Sequence, residues 1–281
     1  MEGRVLSREM IRQFRQYLEK EEKSEATVEK YIRDVRAFAI YINNEEIAKE
    51  SVIAYKQQLL DDGYAIRSIN SMLASLNSLF SYLGWTELRV KSLKLQQQVF
   101  CPEEKELTRA EYERLCRTAS RKQNERLCLI LQTICSTGIR VSELRFVTAE
   151  AVRNSKAQVS LKGKIRTVLL PADLRKKLLR YISDQGIETG PVFITRGGKP
   201  VSRTNIWRGM KNLCEEAEVD PGKVFPHNLR HLFARIFYGL EKDIVRLADV
   251  LGHSSVNTTR IYIISTGAEH RRFMEQMHLV I

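Results

Sequence analysis

The chain has 281 residues, of which 43% are hydrophobic and 28% charged, a composition typical of a globular protein with a buried core. There is no run of about 18 apolar residues, and the first eleven positions carry charges where a signal peptide has its apolar core, so we expect a cytoplasmic protein without a membrane partner. Five cysteines without a C-x-x-C pair argue against a zinc site or a disulfide framework.

The net charge of +12 is unevenly distributed along the chain. Residues 1–102 contain 15 basic and 14 acidic side chains, a net charge of +1, whereas residues 103–281 contain 31 and 20, a net charge of +11. A basic excess confined to one region favours a polyanionic partner, most often nucleic acid.

The first hundred residues predict a bundle of four amphipathic helices. Apolar residues recur there at steps of three and four, and Ser7, Ser24 and Thr27 are candidate caps for the first two helices. Short turns separate the helices, as in a small bundle. The predicted helices cover residues 7–18, 24–42, 51–60 and 66–83.

Residues 85–107 interrupt this pattern with a polar, basic stretch of weak periodicity. We therefore predict a helical domain over residues 1–100 and a second domain over residues 101–281. Thr108 and Glu111 have the spacing of a capping box, which starts a new helix at the beginning of the second domain.

The second domain has a mixed pattern. Residues 157–161 and 165–170 flank Lys162-Gly163-Lys164 and predict a β-hairpin, and residues 192–194 predict a short strand or extended segment. The whole chain is therefore expected to be mostly α-helical with a small β-sheet. Helices are predicted over residues 109–119, 123–136, 142–147, 171–183, 202–217, 227–239, 243–251, 256–262 and 267–277.

Several residues of the second domain suit chemistry on a phosphate group. His227 and Arg230 are three residues apart, which places both on one face of a helix that starts near Pro226. Arg140 follows a predicted turn, and Glu143 lies three residues further, where it can pair with a basic neighbour. Taken singly, such residues more often belong to solvated helix faces, ion pairs or helix N-termini.

Three further residues have a similar double interpretation. Gly252 has the position of a helix C-cap, so His253 is expected on a turn, and Tyr262 follows nine residues later in an apolar run. Singly, these are more often a half-buried histidine and a core aromatic. Lys164, in the hairpin turn, can reach a phosphate or a base edge, although a solvated basic turn is the commoner interpretation.

Taken together in chain order, these motifs resemble the tyrosine recombinase (phage integrase) family, in its compact Xer-like or transposon-integrase type. The family pattern has an arginine in T-G-x-R-x-S-E-L, a hairpin lysine, H-x-L-R-H, L-G-H, and a nucleophile in T-T-x-x-Y. The upstream helices resemble the family's SAM-like core-binding domain in size and position. The hairpin here is shorter and has fewer glycines, which leaves Lys162 as a second choice for the lysine. The matching residues are Arg140, Lys164, His227, Arg230, His253 and Tyr262.

The resemblance implies a mostly α-helical DNA strand transferase with an α+β catalytic domain, which needs neither a metal ion nor a cofactor. Tyr262 would form a 3′-phosphotyrosyl intermediate, which divides one difficult reaction into two steps. Arg140, Arg230 and His253 would bind the non-bridging phosphate oxygens. His227 would assist proton transfer, Lys164 would protonate the leaving 5′-oxygen, and Glu143 would support these groups.

The partners implied are double-stranded DNA and further recombinase subunits. A homotetramer, or a paired recombinase, would act on two DNA sites, and a C-terminal tail helix would dock on its own domain or on a neighbouring subunit. Candidate DNA contacts, chosen from charge and position, are Arg67, Arg89, Lys91, Lys94, Lys162 and Arg166.

Two other functions share these features. A catalytically silent DNA-binding protein would keep the fold, although it has no need for the tyrosine. A type IB topoisomerase-like enzyme would use the same tyrosine chemistry to relax DNA without strand exchange. Within the recombinase interpretation, integration or excision of a mobile element and chromosome dimer resolution both remain open.

Overall fold

The structure is a computed structural model that describes residues 4–94, 105–161, 164–262 and 274–278, with only the backbone at Leu161 and Lys164. Two compact units divide the chain, Met1–Gln97 and Gln98–Ile281. The domain boundary predicted at residue 100 falls within residues 95–104, outside the described residues, so its position stays a prediction. Across the described ranges no helix is long and apolar enough to cross a membrane.

The first unit is a bundle of four helices, as the sequence predicts. The Ser7 hydroxyl accepts a hydrogen bond from the Met10 amide at 3.2 Å and so caps the first helix. Ser24 precedes the second helix, but its hydroxyl bonds the Thr27 hydroxyl at 2.8 Å. The helices are α1 (Arg8–Lys20), α2 (Glu25–Ile42), α3 (Lys49–Asp61) and α4 (Ile66–Tyr82).

The apolar faces of these helices meet in a core in which Phe14, Phe38 and Phe80 are fully buried. A 3₁₀ turn, Thr86–Leu88, follows α4 and leads into an extended segment. Two asparagine side chains of α4 each donate a hydrogen bond to a backbone carbonyl of that segment and accept one from the amide of the same residue. Asn77 binds Val90 in this way, and Asn70 binds Leu93. Residues 90–93 therefore lie along α4.

The second unit is built around a larger apolar core formed by the faces of its helices and one side of a hairpin. A capping box joins Thr108 and Glu111 at its first helix, as predicted. Its helices are α5 (Arg109–Arg121), α6 (Glu125–Thr137), α7 (Ala149–Arg153), α8 (Ala172–Asp184), α9 (Arg203–Lys211), α10 (Pro226–Glu241), α11 (Ile244–Leu251) and α12 (Val256–Arg260), with 3₁₀ helices Val141–Phe146 and Pro221–Lys223.

The predicted hairpin is present as two antiparallel strands, β1 (Lys156–Leu161) and β2 (Lys164–Leu169). Ala157 pairs with Val168 and Val159 with Arg166. Because successive side chains of a strand point to opposite faces, Ala157, Val159 and Val168 all lie on the face that is buried in the core. The prediction of a mostly α-helical protein with a small β-sheet is confirmed within the described residues.

Several predicted elements differ from the structure. The helix expected over 202–217 ends at Lys211, because residues 212–218 bury Leu213, Cys214 and Ala217 through successive turns. A short strand or an extended segment was expected over residues 192–194, and the structure has no strand there but isolated bridges on either side of Val192 and Phe193, Thr148 to Pro191 and Ile194 to Pro200. The helix expected over 256–262 ends at Arg260. Most of the helix expected over 267–277 lies outside the described residues.

Candidate active site

A glycine turn at the end of α6 delivers Arg140. Gly138 has φ +63°, and a Cβ atom there would lie 2.5 Å from a ring carbon of Phe233, so the turn requires glycine. The 3₁₀ helix Val141–Phe146 begins immediately after Arg140. The Arg140 side chain is 40% exposed, which leaves part of its guanidinium available to a ligand.

Glu143 is a buried carboxylate that binds two arginines. It accepts hydrogen bonds from the Arg140 amide at 2.9 Å, from Arg140 Nη1 at 2.9 Å and from Arg166 Nη2 at 2.6 Å. Burial raises the pKa of the Glu143 carboxyl, but the Arg140 amide and the charge of Arg166 outweigh it and hold the pKa below its usual range. The ionised carboxylate therefore fixes the orientation of both guanidinium groups.

Arg166 occupies a position different from the DNA contact expected from the sequence. Its side chain is 15% exposed, and besides Glu143 it binds the Val250 carbonyl oxygen at 2.8 Å. This places the guanidinium inside the unit, between β2 and the end of α11. Gly252, with φ +65°, follows α11 at a point where a Cβ atom would lie 2.2 Å from Arg166 Cδ.

Arg230, on α10, is 2% exposed although it carries a charge. Its guanidinium donates hydrogen bonds to the Gly138 carbonyl and, at 2.8 Å, to the Leu251 carbonyl, and lies 2.9 Å from His253 Nε2. Its buried Nε has no partner within the described residues. Burial and the charge of Arg140 lower the pKa of Arg230 to about 10, although the Tyr262 hydroxyl raises it in part. The guanidinium therefore stays charged at neutral pH.

Tyr262 lies in the turn after α12 and is 4% exposed. Its ring centroid lies 5.5 Å from that of His227, 4.7 Å from that of His231 and 5.5 Å from that of His253. The Tyr262 and His253 rings are stacked, with an angle of 20° between their planes. Burial is the main cause that lowers the pKa of His231 and of His253 to about 4. The tyrosine is thus surrounded by neutral imidazoles at pH 7.

A concave pocket of about 430 Å³ opens beside these groups. Desolvation and the charges of Arg230 and Arg140 lower the pKa of His227, which lies in its wall. Three arginines in the wall of one pocket, Arg140, Arg203 and Arg230, form a suitable binding site for an anion such as a phosphate diester. The lining residues are Ile139, Arg140, Val141, Ser142, Arg203, Trp207, Phe225, Pro226, His227 and Arg230.

The structure brings together the predicted residues Arg140, Glu143, His227, Arg230, His253 and Tyr262. Lys164 begins β2, but its side chain lies outside the described part of the protein, as does all of Lys162. The other candidate DNA contacts belong to the first unit, where each side chain is exposed. They are Arg67, Arg89, Lys91 and Lys94.

Three residues at this site were missed in the sequence. His231 follows His227 by four residues, a helical spacing that places it on the same face of α10 and against Tyr262. Arg203 and Trp207 share one face of α9 by the same spacing and line the pocket, but no motif marked them. Within the described residues no cluster of histidine, cysteine or acidic side chains could hold a metal ion.

Family comparisons cover most of the chain. The phage integrase family matches residues 105–269, and the N-terminal SAM-like domain of phage integrases matches residues 11–87. The tyrosine recombinase XerA of Pyrococcus furiosus is 28% identical over 290 residues, covering 100% of this chain and 98% of that protein. XerD of Haemophilus influenzae is 28% identical over 280 residues, covering 91% of this chain and 92% of that protein.

Solved structures share the fold. The XerH recombinase in its post-cleavage complex with a palindromic difH substrate matches with a TM-score of 0.72 and 21% identity, over 90% of this chain and 79% of that one. A lambda integrase tetramer bound to a Holliday junction matches with a TM-score of 0.75 and 17% identity, over 93% of this chain and 78% of that one.

Proposed function

The chain belongs to the phage integrase family and is a tyrosine site-specific recombinase, and we propose that it cleaves and rejoins DNA through Tyr262. The observation that carries this assignment is the position of the tyrosine ring, 5.5 Å from the His227 ring in the wall of a pocket that Arg140 and Arg230 also line. A DNA-binding protein without catalysis has no use for such a tyrosine.

The scissile phosphate would occupy the arginine pocket. Phosphodiester cleavage places extra negative charge on the non-bridging oxygens, and cationic donors fixed beforehand stabilise that charge without reorganisation. Arg140 is held by Glu143 with part of its guanidinium exposed, and Arg230 lines the same pocket. Both arginines can therefore donate to phosphate oxygens once DNA is bound.

In the first chemical step, the Tyr262 oxygen attacks phosphorus and the bond from phosphorus to the 5′-oxygen breaks. The tyrosine proton passes to neutral His227 or to water, because the lowered pKa of His227 leaves its imidazole free to accept a proton. Lys164 supplies the proton for the leaving 5′-oxygen. The product is a 3′-phosphotyrosyl bond, which a 5′-hydroxyl from a partner strand reverses, without ATP or another cofactor.

We further propose that the protein works as a multimer on two double-stranded DNA sites, either as a homotetramer or with a paired recombinase. A lambda integrase that shares this fold was solved as a tetramer bound to a Holliday junction, and the basic excess of residues 103–281 suits a polyanionic partner. Arg67, Arg89, Lys91 and Lys94 are proposed DNA contacts of the first unit, since all four are exposed.

Covalent trapping tests this proposal. The site is first selected by binding from a random-sequence duplex library, and a duplex with that site is then nicked beside the cleavage position, so that the released fragment diffuses away. Wild-type protein should give a protein–DNA adduct on a denaturing gel, and Tyr262→Phe should give none. Tyr238→Phe, which changes a partly buried tyrosine of α10, is the control and should form the adduct.

Strand exchange separates the recombinase from the two other functions. A recombinase joins ends from two duplexes that each carry the site, whereas a topoisomerase-like enzyme relaxes supercoiled DNA with one site and yields no exchanged product. A silent binding protein gives neither product. Relaxation without exchange, or binding without adduct, would contradict the proposed function.

A further inference from the structure

Thr259 is a buried residue that the mechanism above leaves without a role. It lies in α12, three residues before Tyr262, and its exposure is 0%. Its hydroxyl oxygen lies 2.8 Å from His253 Nδ1, and its carbonyl oxygen accepts a hydrogen bond from the Tyr262 amide at 2.9 Å. One residue therefore contacts both the proposed nucleophile and a proposed donor to the phosphate.

The other neighbour of His253 decides where the imidazole proton lies. Nη2 of Arg230 is 2.9 Å from His253 Nε2, and a guanidinium has donors but no acceptor, so Nε2 accepts and carries no proton. Burial and nearby arginine charges lower the pKa of His253 to about 4, so the ring is neutral at pH 7. Its one proton is then on Nδ1, and the Thr259 oxygen accepts it.

We propose that Thr259 is a positioning residue for strand cleavage, whose hydroxyl holds the ring plane and tautomer of His253 while its backbone holds Tyr262. This inference rests on the proposed function. Among the described residues, Arg230 binds the His253 ring at Nε2 and Thr259 binds it at Nδ1, so the Thr259 hydroxyl constrains the ring at the nitrogen that Arg230 does not contact.

The same hydroxyl serves the reacting state. A phosphate in the pocket adds negative charge beside His253 and favours a second ring proton, which Nε2 takes up from solvent as Arg230 turns its donor to a phosphate oxygen. Nε2 then donates to a non-bridging oxygen, while Nδ1 continues to donate to Thr259. Because the Thr259 oxygen accepts in both states, the ring keeps its orientation from the free enzyme to the complex.

Two substitutions separate the hydroxyl from the volume of the side chain. Thr259→Val keeps the shape and removes the oxygen, whereas Thr259→Ser keeps the oxygen and removes a methyl group. Thr118→Val is the matched control, because Thr118 is also 0% exposed but lies on α5. For each variant we would measure adduct formation on the nicked duplex, affinity for the intact duplex, and the ¹⁵N chemical shifts of the His253 ring without DNA.

We expect Thr259→Val to slow adduct formation about tenfold, equivalent to about 1.4 kcal/mol in the barrier, with unchanged DNA affinity. Its His253 ring nitrogens should lose the wild-type pattern of a proton on Nδ1 alone. Thr259→Ser should restore both the rate and the ¹⁵N pattern, and Thr118→Val should match wild type.

The inference is overturned if Thr259→Val keeps the wild-type rate and ¹⁵N shifts, or if Thr259→Ser is as slow as Thr259→Val, which would assign the effect to packing. Failure of the proposed function gives a different result. In that case wild-type protein forms no adduct, while the ¹⁵N shifts of His253 in the free protein still depend on the Thr259 hydroxyl.

Discussion

At the scale of single residues, charged side chains are concentrated around the pocket. Arg140, Arg166 and Arg230 lie close together, and Glu143 is the carboxylate that binds two of them. Arg230 is instead held by backbone carbonyl oxygens, which offset burial of its charge only in part. A phosphate diester would supply the missing negative charge, so the pocket is prepared for an anion.

Replacing Glu143 should damage both stability and activity. Glu143→Gln keeps one acceptor oxygen but presents an amide N–H group to a guanidinium, so a buried charge-assisted hydrogen bond is lost. We expect the free energy of unfolding to fall by about 2 kcal/mol, measured by urea denaturation. Adduct formation should slow by at least about tenfold, because Arg140 loses its fixed orientation.

Glu113 provides the control for this substitution. Its side chain is 41% exposed and also pairs with two arginines, Arg109 and Arg117, but on the surface of α5. Glu113→Gln should cost no more than about 0.5 kcal/mol and leave adduct formation unchanged. Equal losses for the two variants would show that burial of Glu143 contributes nothing.

Two half-buried histidines should make stability depend on pH. His231 and His253 have a folded-state pKa of about 4, below the value of about 6.5 for a solvated histidine, so the unfolded chain binds more protons between these values. Their contribution to stability is complete above pH 6.5 and is lost as the pH falls towards 4. We expect about 1 to 2 kcal/mol per histidine between pH 7 and pH 5, measured by urea denaturation.

Substituting a single histidine tests whether these side chains cause the pH dependence of stability. His231→Gln should reduce the loss of stability between pH 7 and pH 5, because one protonation site of the unfolded chain is removed. His278→Gln, at an exposed histidine, should leave the loss as in wild type. An unchanged pH dependence in His231→Gln would contradict the proposed cause.

At the element scale, the turn after α11 connects the hairpin to the site. Arg166 extends from β2, binds the Val250 carbonyl and Glu143, and passes directly under Gly252. His253 follows in the same turn and donates its backbone N–H to the Ala248 carbonyl at 2.9 Å. The position of His253 therefore depends on a close approach between this turn and the Arg166 side chain.

Gly252→Ala tests that approach. The new Cβ atom would collide with a side chain whose far end is fixed by two hydrogen bonds, and the φ of +65° adds backbone strain. We expect a loss of about 2 to 4 kcal/mol in unfolding free energy. Gly186→Ala has a φ of +63° with no atom within 4 Å, so it should cost only about 1 kcal/mol. Similar losses in both variants would show that the contact with Arg166 contributes nothing to the fall in unfolding free energy.

How well a feature could be predicted from the sequence depends on how far apart along the chain its interacting residues lie. Most helices of the two units could be predicted because apolar residues recur along them at helical steps, whereas α7, with five residues, was not predicted. Arg140, His227 and Arg230 could be found because local motifs carry them. The inward position of Arg166 and the contact between His231 and Tyr262 depend on packing between elements that are distant in the chain, and local spacing does not encode it.

At the scale of the whole molecule, the chain combines a nearly neutral helical unit with a strongly basic one that contains the candidate active site. Family membership covers both parts, since separate family matches span residues 11–87 and 105–269. This composition suits an enzyme that binds duplex DNA and uses the arginine pocket for one of its phosphates.

The covalent bond to DNA is the central claim, and peptide mapping of the trapped adduct tests it most directly. The adduct formed on the nicked duplex would be digested with nuclease and protease, and the peptide that carries the residual nucleotide sequenced by tandem mass spectrometry. A 3′-nucleotide on Tyr262 is the predicted result. A nucleotide on any other residue, such as Tyr238, would contradict it.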